Sequence, residues 1–243
     1  MRKRGNVLCI GDIILDSYSH GEVRRISPEA PIPVLKINNN RYEVPGGCGN
    51  VARNICAAGS NCHIISISGN DEESRILKKL LGESKNLSFN LIIDKDRCTT
   101  KKIRFVSENQ QILRVDREVS KPINKKIESS LLKAFKKRID DSDVVVISDY
   151  NKGMLTDSLL KSIITLSRKK NKKIIVDPKK NDFYPYKGAS FITPNFKELL
   201  IASKGENSLK DANNNEVVEK LSKKILFELQ FEAVVITRSS EGI

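Results

Sequence analysis

The chain has 243 residues, 39% of them hydrophobic, and carries 43 Lys and Arg against 30 Asp and Glu, a formal charge of +13. The cation excess is spread, 19 against 14 in residues 1–120 and 24 against 16 in residues 121–243. The basic runs 121–126, 133–138 and 168–173 have few aromatics between them, which argues against a nucleic-acid partner and for a solvated lysine-rich surface. No apolar run reaches the length of a membrane span, and Asp12 and Asp16 interrupt the one apolar stretch that mimics a signal peptide, so no membrane partner is expected. Cys9, Cys48, Cys56, Cys62 and Cys98 show no CxxC pairing, which argues against structural zinc and for reduced thiols in a cytoplasmic protein.

In chain order, β-branched runs alternate with helical patterns. A strand is expected over 6–13, a helix over 48–58, a strand over 63–68, a helix over 72–81 and a strand over 87–93. The rhythm resumes with a helix over 123–139, strands over 144–148 and 173–177 around a helix over 157–169, and a short strand over 190–193. Helices then begin near Asn195 and Asn214, and a last strand runs over 233–237. Continuous apolar strands alternating with helices predict an α/β fold, a doubly wound, mainly parallel sheet flanked by helices. Ligands of such sheets sit beyond the carboxyl ends of the strands.

Two segments break the rhythm, about 17–45 and 98–118. The first has no helical period and contains Pro28, Pro31 and Pro33; the second reads as two strands meeting near Asn109. Together they predict a small antiparallel β lid inserted in the main domain. With one face left to bury, such a lid is expected to close the site or to pair two chains into a homodimer.

Two constellations carry chemistry. Gly11-Asp12-Ile13-Ile14-Leu15-Asp16 puts two carboxylates where the crevice opens, and a carboxylate accepts hydrogen bonds from neighbouring hydroxyls, as polyol recognition needs. Alone, these acids equally suit a strand end or a turn cap. Pro45-Gly46-Gly47-Cys48-Gly49-Asn50 precedes a helix, where paired glycines let a ligand approach the backbone and unpaired N–H groups attract negative charge. The spacing is not that of a P-loop, and an ordinary helix entry accounts for the glycines equally well.

Taken with Thr193-Pro194-Asn195 and Glu198 after a late strand, these segments resemble the ribokinase, or phosphofructokinase-B, family. Arg25-Ile26-Ser27-Pro28-Glu29-Ala30-Pro31 is similar to the first lid segment of bacterial heptose 7-phosphate kinases. Asn109-Gln110-Gln111 with Arg114 and Asp116, Ser148-Asp149-Tyr150 with Lys152-Gly153, Asp177-Pro178-Lys179 and Thr237-Arg238-Ser239 follow in that family's order. The resemblance covers nearly the whole chain and implies roles. Asp12, Asp16, Gly46, Gly47 and Asn50 match sugar-contacting positions, and Arg25, Lys102 and Arg104 match basic lid positions suited to a sugar phosphate. Asn195, Phe196, Lys197 and Glu198, with Asp177, Lys179, Thr237 and Gly242, match the ATP-binding edge, and Glu198 is expected to act indirectly on Mg²⁺. The family's Gly-Ala-Gly-Asp turn, whose N–H groups form an anion hole and whose aspartate is the catalytic base, lies beyond Ile243. Residues 1–243 are therefore expected to be a ribokinase-like kinase domain lacking its C-terminal part and its base. A nucleotidyltransferase domain, which some relatives carry, would need an HxGH motif that His20 and His63 cannot build.

The implied function is ATP-dependent phosphorylation of D-glycero-D-manno-heptose 7-phosphate at its anomeric hydroxyl, in ADP-heptose and lipopolysaccharide-core synthesis. The alternatives are another ribokinase-type sugar kinase and an inactive sugar-phosphate-binding fragment.

Overall fold

The computed structural model of the chain describes residues 4–204 and 214–243. Its main sheet has seven strands in the order β11-β10-β9-β8-β1-β4-β5. These are β1 (Asn6–Gly11), β4 (Asn61–Ser68), β5 (Leu87–Ile93), β8 (Val144–Ser148), β9 (Lys173–Asp177), β10 (Phe191–Ile192) and β11 (Ala233–Val234). Every pairing between them is parallel. The carboxyl ends of β1, β8 and β9 thus deliver Gly11, Ser148 and Asp177 to one edge, in register with one another.

The helices form where the sequence supplies caps. Asp71 accepts the Ser74 N–H at the start of α2 (Glu72–Gly82), and Asn124 accepts from Lys126 and Ile127 before α3 (Lys125–Arg138). Thr156 opens α4 (Asp157–Lys169), and Asn214 opens α6 (Asn215–Leu229). Acidic first turns in α2 and basic last turns in α3 and α4 follow the helix dipole. The exception is α1 (Cys48–Ala57), whose cap is Gly47 and which has no side-chain cap and no acidic residue in its first turn.

Burial divides by strand parity. Cys9, Cys62 and Ile64 pack under α1 and α2 with Cys48, Ala52, Leu77 and Leu81. Leu8, Ile10, Val145, Ile147, Ile174 and Val176 face a larger core with Phe135, Leu159, Ile163 and Tyr186. Each such aliphatic contributes about 1.5–3 kcal/mol of burial, so the sheet is held on both faces, as expected.

The lid differs from expectation in its pairing. It comprises β2 (Ile13–Ile26), β3 (Pro33–Gly47), β6 (Lys101–Ser107) and β7 (Gln110–Arg117), in the order β3-β2-β6-β7. The pairs β2·β3 and β6·β7 are antiparallel, but β2·β6 is parallel, so the sheet is mixed rather than antiparallel. The reason is connectivity. β2 and β6 each leave the same edge of the main sheet, after β1 and β5, and run outward side by side while β3 and β7 return outside them. Among the described residues no helix is long and apolar enough to cross a membrane.

Candidate active site

The crevice starts at β1. The Asp12 carbonyl accepts the Cys48 N–H at 2.9 Å, so the turn between the first two strands seats the start of α1. Gly47 adopts φ 57°, and a Cβ there would come within 2.3 Å of the Asp12 carbonyl oxygen. At Gly46 a Cβ would come within 2.0 Å of Asp16 Oδ2. Gly47 is therefore required by its backbone contact and positive φ, and Gly46 leaves the Asp16 carboxylate lying on bare backbone, where a side chain would displace it.

Asp16 is half-buried, and Arg104 Nη1 donates to its Oδ1 at 2.5 Å. The Arg104 guanidinium carbon also lies 5.2 Å from the centre of the Tyr18 ring, which stacks on Tyr42 at 4.7 Å. Lys102 is 3.7 Å from Asp116, which also accepts from Arg114 Nε at 2.9 Å. The lid's inner face thus joins Asp16, Lys102 and Arg104 beside Gly46 and Gly47. Asn50 is exposed on the first turn of α1.

Two of the expected sugar residues stand elsewhere. Asp12 is 4% exposed, and its Oδ2 accepts the backbone N–H groups of Tyr150 at 2.8 Å and Lys152 at 3.3 Å. It braces the loop after β8, and burial with the nearby Asp149 pushes its carboxyl up to about 6. Arg25 is exposed at the far end of β2, paired with Val34. Nine residues of strand separate it from Asp16, roughly 30 Å, so within one chain it does not join Lys102 and Arg104.

The residues expected at the nucleotide gather around α5 (Phe196–Ala202). Asn195 and Glu198 make a reciprocal capping box: Asn195 Oδ1 accepts the Glu198 N–H and Glu198 Oε2 accepts the Asn195 N–H, each at 2.9 Å. Lys179 donates to the other Glu198 oxygen. Asp177, at the end of β9, is raised to about 6 by burial first and by Glu198 second, with Lys179 opposing. Thr237 bridges to Asn195 in parallel. A groove of about 490 Å³ runs from Val51 and Ile55 of α1 past Val146 and Ile175 to Asp177, Lys179, Asn195, Glu198 and Thr237. A second concavity holds Lys197, Thr237 and Gly242. Phe196 lines this second concavity too, but with only 5% of its surface exposed it belongs mainly to the core, because an amphipathic helix entry turns its first aromatic inward.

The groove suits a polyphosphate chain, with an exposed lysine and a helix entry at one end. Among the described residues no group of three or more carboxylate, His or Cys side chains could hold an ion. Both Glu198 oxygens are already engaged, so Glu198 fits Mg²⁺ only through water, the arrangement that Mg²⁺ favours when phosphates supply its other ligands.

Asp149, already marked in the sequence, organises this edge with two residues that sequence reasoning missed, Tyr186 and Arg97. Asp149 is 2% exposed and accepts from the Tyr186 hydroxyl at 2.7 Å and the Asn151 N–H at 2.6 Å. Arg97 pairs with buried Asp94 at 2.9 Å and donates to the carbonyls of Lys152 and Lys121, also at 2.9 Å. The Ser148-Asp149-Tyr150 run was a signal for the first; nothing local marks Tyr186 or Arg97.

A family model described as pfkB family carbohydrate kinase matches residues 5–243. The bifunctional protein HldE of Rhodopseudomonas palustris strain BisB18 is 38% identical over 242 residues, 99% of this chain and 48% of that protein. The HldE protein of Nitrobacter winogradskyi is 38% identical over 239 residues, with 98% and 48% covered. The chain spans about half the length of these curated relatives. In fold it is similar to phosphofructokinase-2 from Escherichia coli in complex with potassium, with a TM-score of 0.74 at 21% identity over 96% of this chain and 72% of that one. The same enzyme in complex with fructose-6-phosphate gives 0.72 at 21% identity, over 96% and 73%. With the family model spanning residues 5–243 and the strand-end crevice in place, the chain belongs to the pfkB family of carbohydrate kinases.

Proposed function

We propose that the protein of which this chain forms the kinase unit transfers the γ-phosphoryl group of ATP to the anomeric hydroxyl of D-glycero-D-manno-heptose 7-phosphate. The product would be the 1,7-bisphosphate, a precursor in ADP-heptose and lipopolysaccharide-core synthesis. The observation that carries the sugar reading is Asp16 lying on Gly46 with Arg104 and Lys102 beside it, a hydroxyl acceptor next to cations suited to a phosphate. The heptose branch is supported by the 25–31 segment and by the 38% identity to HldE proteins.

In this reading Asp16 and Asn50 orient the sugar beside the start of α1, which no side chain caps. Asp12 and Asp149 hold the Tyr150 to Lys152 loop beneath. Lys179, Asn195 and Thr237 line the nucleotide groove, with Glu198 near a water-bound Mg²⁺ that would neutralise phosphate charge. Catalysis rests on positioning and on lid closure, which keeps water from the γ-phosphate. The lid's outer face carries Leu35, Ile37, Ile103, Phe105, Leu113 and Val115, of which Ile37 and Leu113 are 53% and 54% exposed. Such a face supports pairing of two chains through their lids, in a cytoplasmic homodimer.

The test is a coupled ADP-release assay with Mg-ATP and heptose 7-phosphate, run on residues 1–243 beside a version extended by the family's C-terminal segment. The extended version should turn over and form the 1,7-bisphosphate. Absence of turnover in both contradicts the reading.

A further inference from the structure

Around Asp16 the lid's inner face groups three cations, Lys102, Arg104 and Arg114, with two carboxylates, Asp16 and Asp116. Arg104 and Arg114 stand directly opposite each other across β6·β7, a like-charge pairing that needs a compensating anion. Asp116 serves Arg114 and Lys102 together. Asp16 serves Arg104 alone, and its carboxylate, which is 17% exposed, is the group placed on Gly46 to read the sugar. A sugar hydroxyl that seeks Asp16 must therefore compete with a half-buried ion pair. A sugar that brings a phosphate dianion offers Arg104 a better partner, with two negative charges and bidentate geometry. The Tyr18 ring, 5.2 Å from the guanidinium carbon, provides a surface along which the arginine can turn without losing its aromatic contact.

We propose that the Asp16–Arg104 ion pair is a specificity latch, which keeps the sugar-reading carboxylate occupied until a terminal phosphate monoester draws Arg104 away. The site then takes the phosphorylated sugar and rejects the same sugar without its phosphate. This inference rests on the sugar-phosphate reading above and adds to it a coupling between the two ends of the substrate. Unphosphorylated sugar must break the pair with nothing in return, whereas the phosphorylated sugar replaces it.

The coupling is measured by calorimetric titration of the chain and of Arg104→Gln with heptose 7-phosphate and with heptose. The substitution should weaken heptose 7-phosphate by roughly ten- to a hundredfold. It should strengthen heptose by about three- to tenfold, the share returned when a half-buried pair no longer has to be broken. Loss of affinity for both ligands, or unchanged heptose binding, overturns the latch. A second arm needs no substitution. Millimolar inorganic phosphate, against chloride at equal ionic strength, should tighten heptose binding to the unsubstituted chain; no effect, or competition, overturns the latch as well. If the unsubstituted chain binds neither sugar, the sugar-phosphate reading fails and the latch with it. If it binds heptose 7-phosphate without the predicted responses, the latch alone is wrong.

Discussion

Asp12 and Asp16 lie four residues apart and meet different surroundings. Asp12 is enclosed and accepts two backbone N–H groups, whereas Asp16 opens to the lid's inner face. Asp16→Asn replaces one acceptor oxygen with a donor and removes the charge facing Arg104, so heptose 7-phosphate binding should fall at least a hundredfold while the thermal midpoint moves only slightly. Calorimetry and thermal melting on the same sample check this; wild-type affinity in a folded variant contradicts it. Asp177 makes a prediction of opposite kind. Its folded pKa of about 6 lies above the usual carboxylate value, so the folded state binds the proton more tightly than the unfolded chain. Stability from this group is full below about pH 4 and is lost as pH rises through about 6. Asp177→Asn should therefore gain on the wild type as pH rises from 4 to 7, by on the order of 2 kcal/mol, with little difference at pH 4. Urea midpoints across that range decide; a gain that shrinks with rising pH contradicts the assignment.

At the scale of elements, Arg97 pins the loops beside the lid, while Lys101 and Arg117 of the lid strands pair with Glu73 and Asp71 at the start of α2. Arg97 spends its guanidinium on Asp94 and on carbonyls of the 119–121 and 149–153 loops, and Lys152 presents its N–H to Asp12 and its C=O to Arg97. Arg97→Gln leaves Asp94 buried without its cation and should cost about 3 kcal/mol in a urea melt, together with weaker sugar-phosphate binding. A loss below about 1 kcal/mol would show that the pin is dispensable. None of this was legible in the sequence, because residues 55 positions apart meet here with no local signal. The strands over 87–93, 144–148 and 173–177 and the helix over 157–169 were fully legible, since continuous apolar runs and a Thr156 cap fix them locally. Of β3 only the alternating stretch 34–37 was legible, and the length of β2 and β3 was hidden, because prolines, His20, Gly21 and paired bulges interrupt the alternation that marks a strand. Asp16 with Gly46 was legible as chemistry but not as contact. Arg25 stands at the far end of β2, away from Lys102 and Arg104 of the same chain, because sequence similarity gives the order of residues and not the length of the strand between them.

For the molecule as a whole, the small sheet has two unlike faces, and the proposed function assigns recognition to one and pairing of chains to the other. Its inner face carries charge and stacked aromatics, and its outer face carries exposed aliphatics. Leu113→Glu should convert a dimer to a monomer in light scattering at micromolar concentration; a monomer before substitution contradicts lid pairing. In the proposed function the crevice at the carboxyl edge of β1, closed by this lid, reads a heptose 7-phosphate. The most direct measurement is calorimetric titration of the chain with D-glycero-D-manno-heptose 7-phosphate and, separately, with fructose 6-phosphate. Saturable binding of one heptose 7-phosphate per chain, at least about tenfold tighter than fructose 6-phosphate, is the predicted result. Equal affinity for the two sugars, or no binding of the heptose, would contradict it.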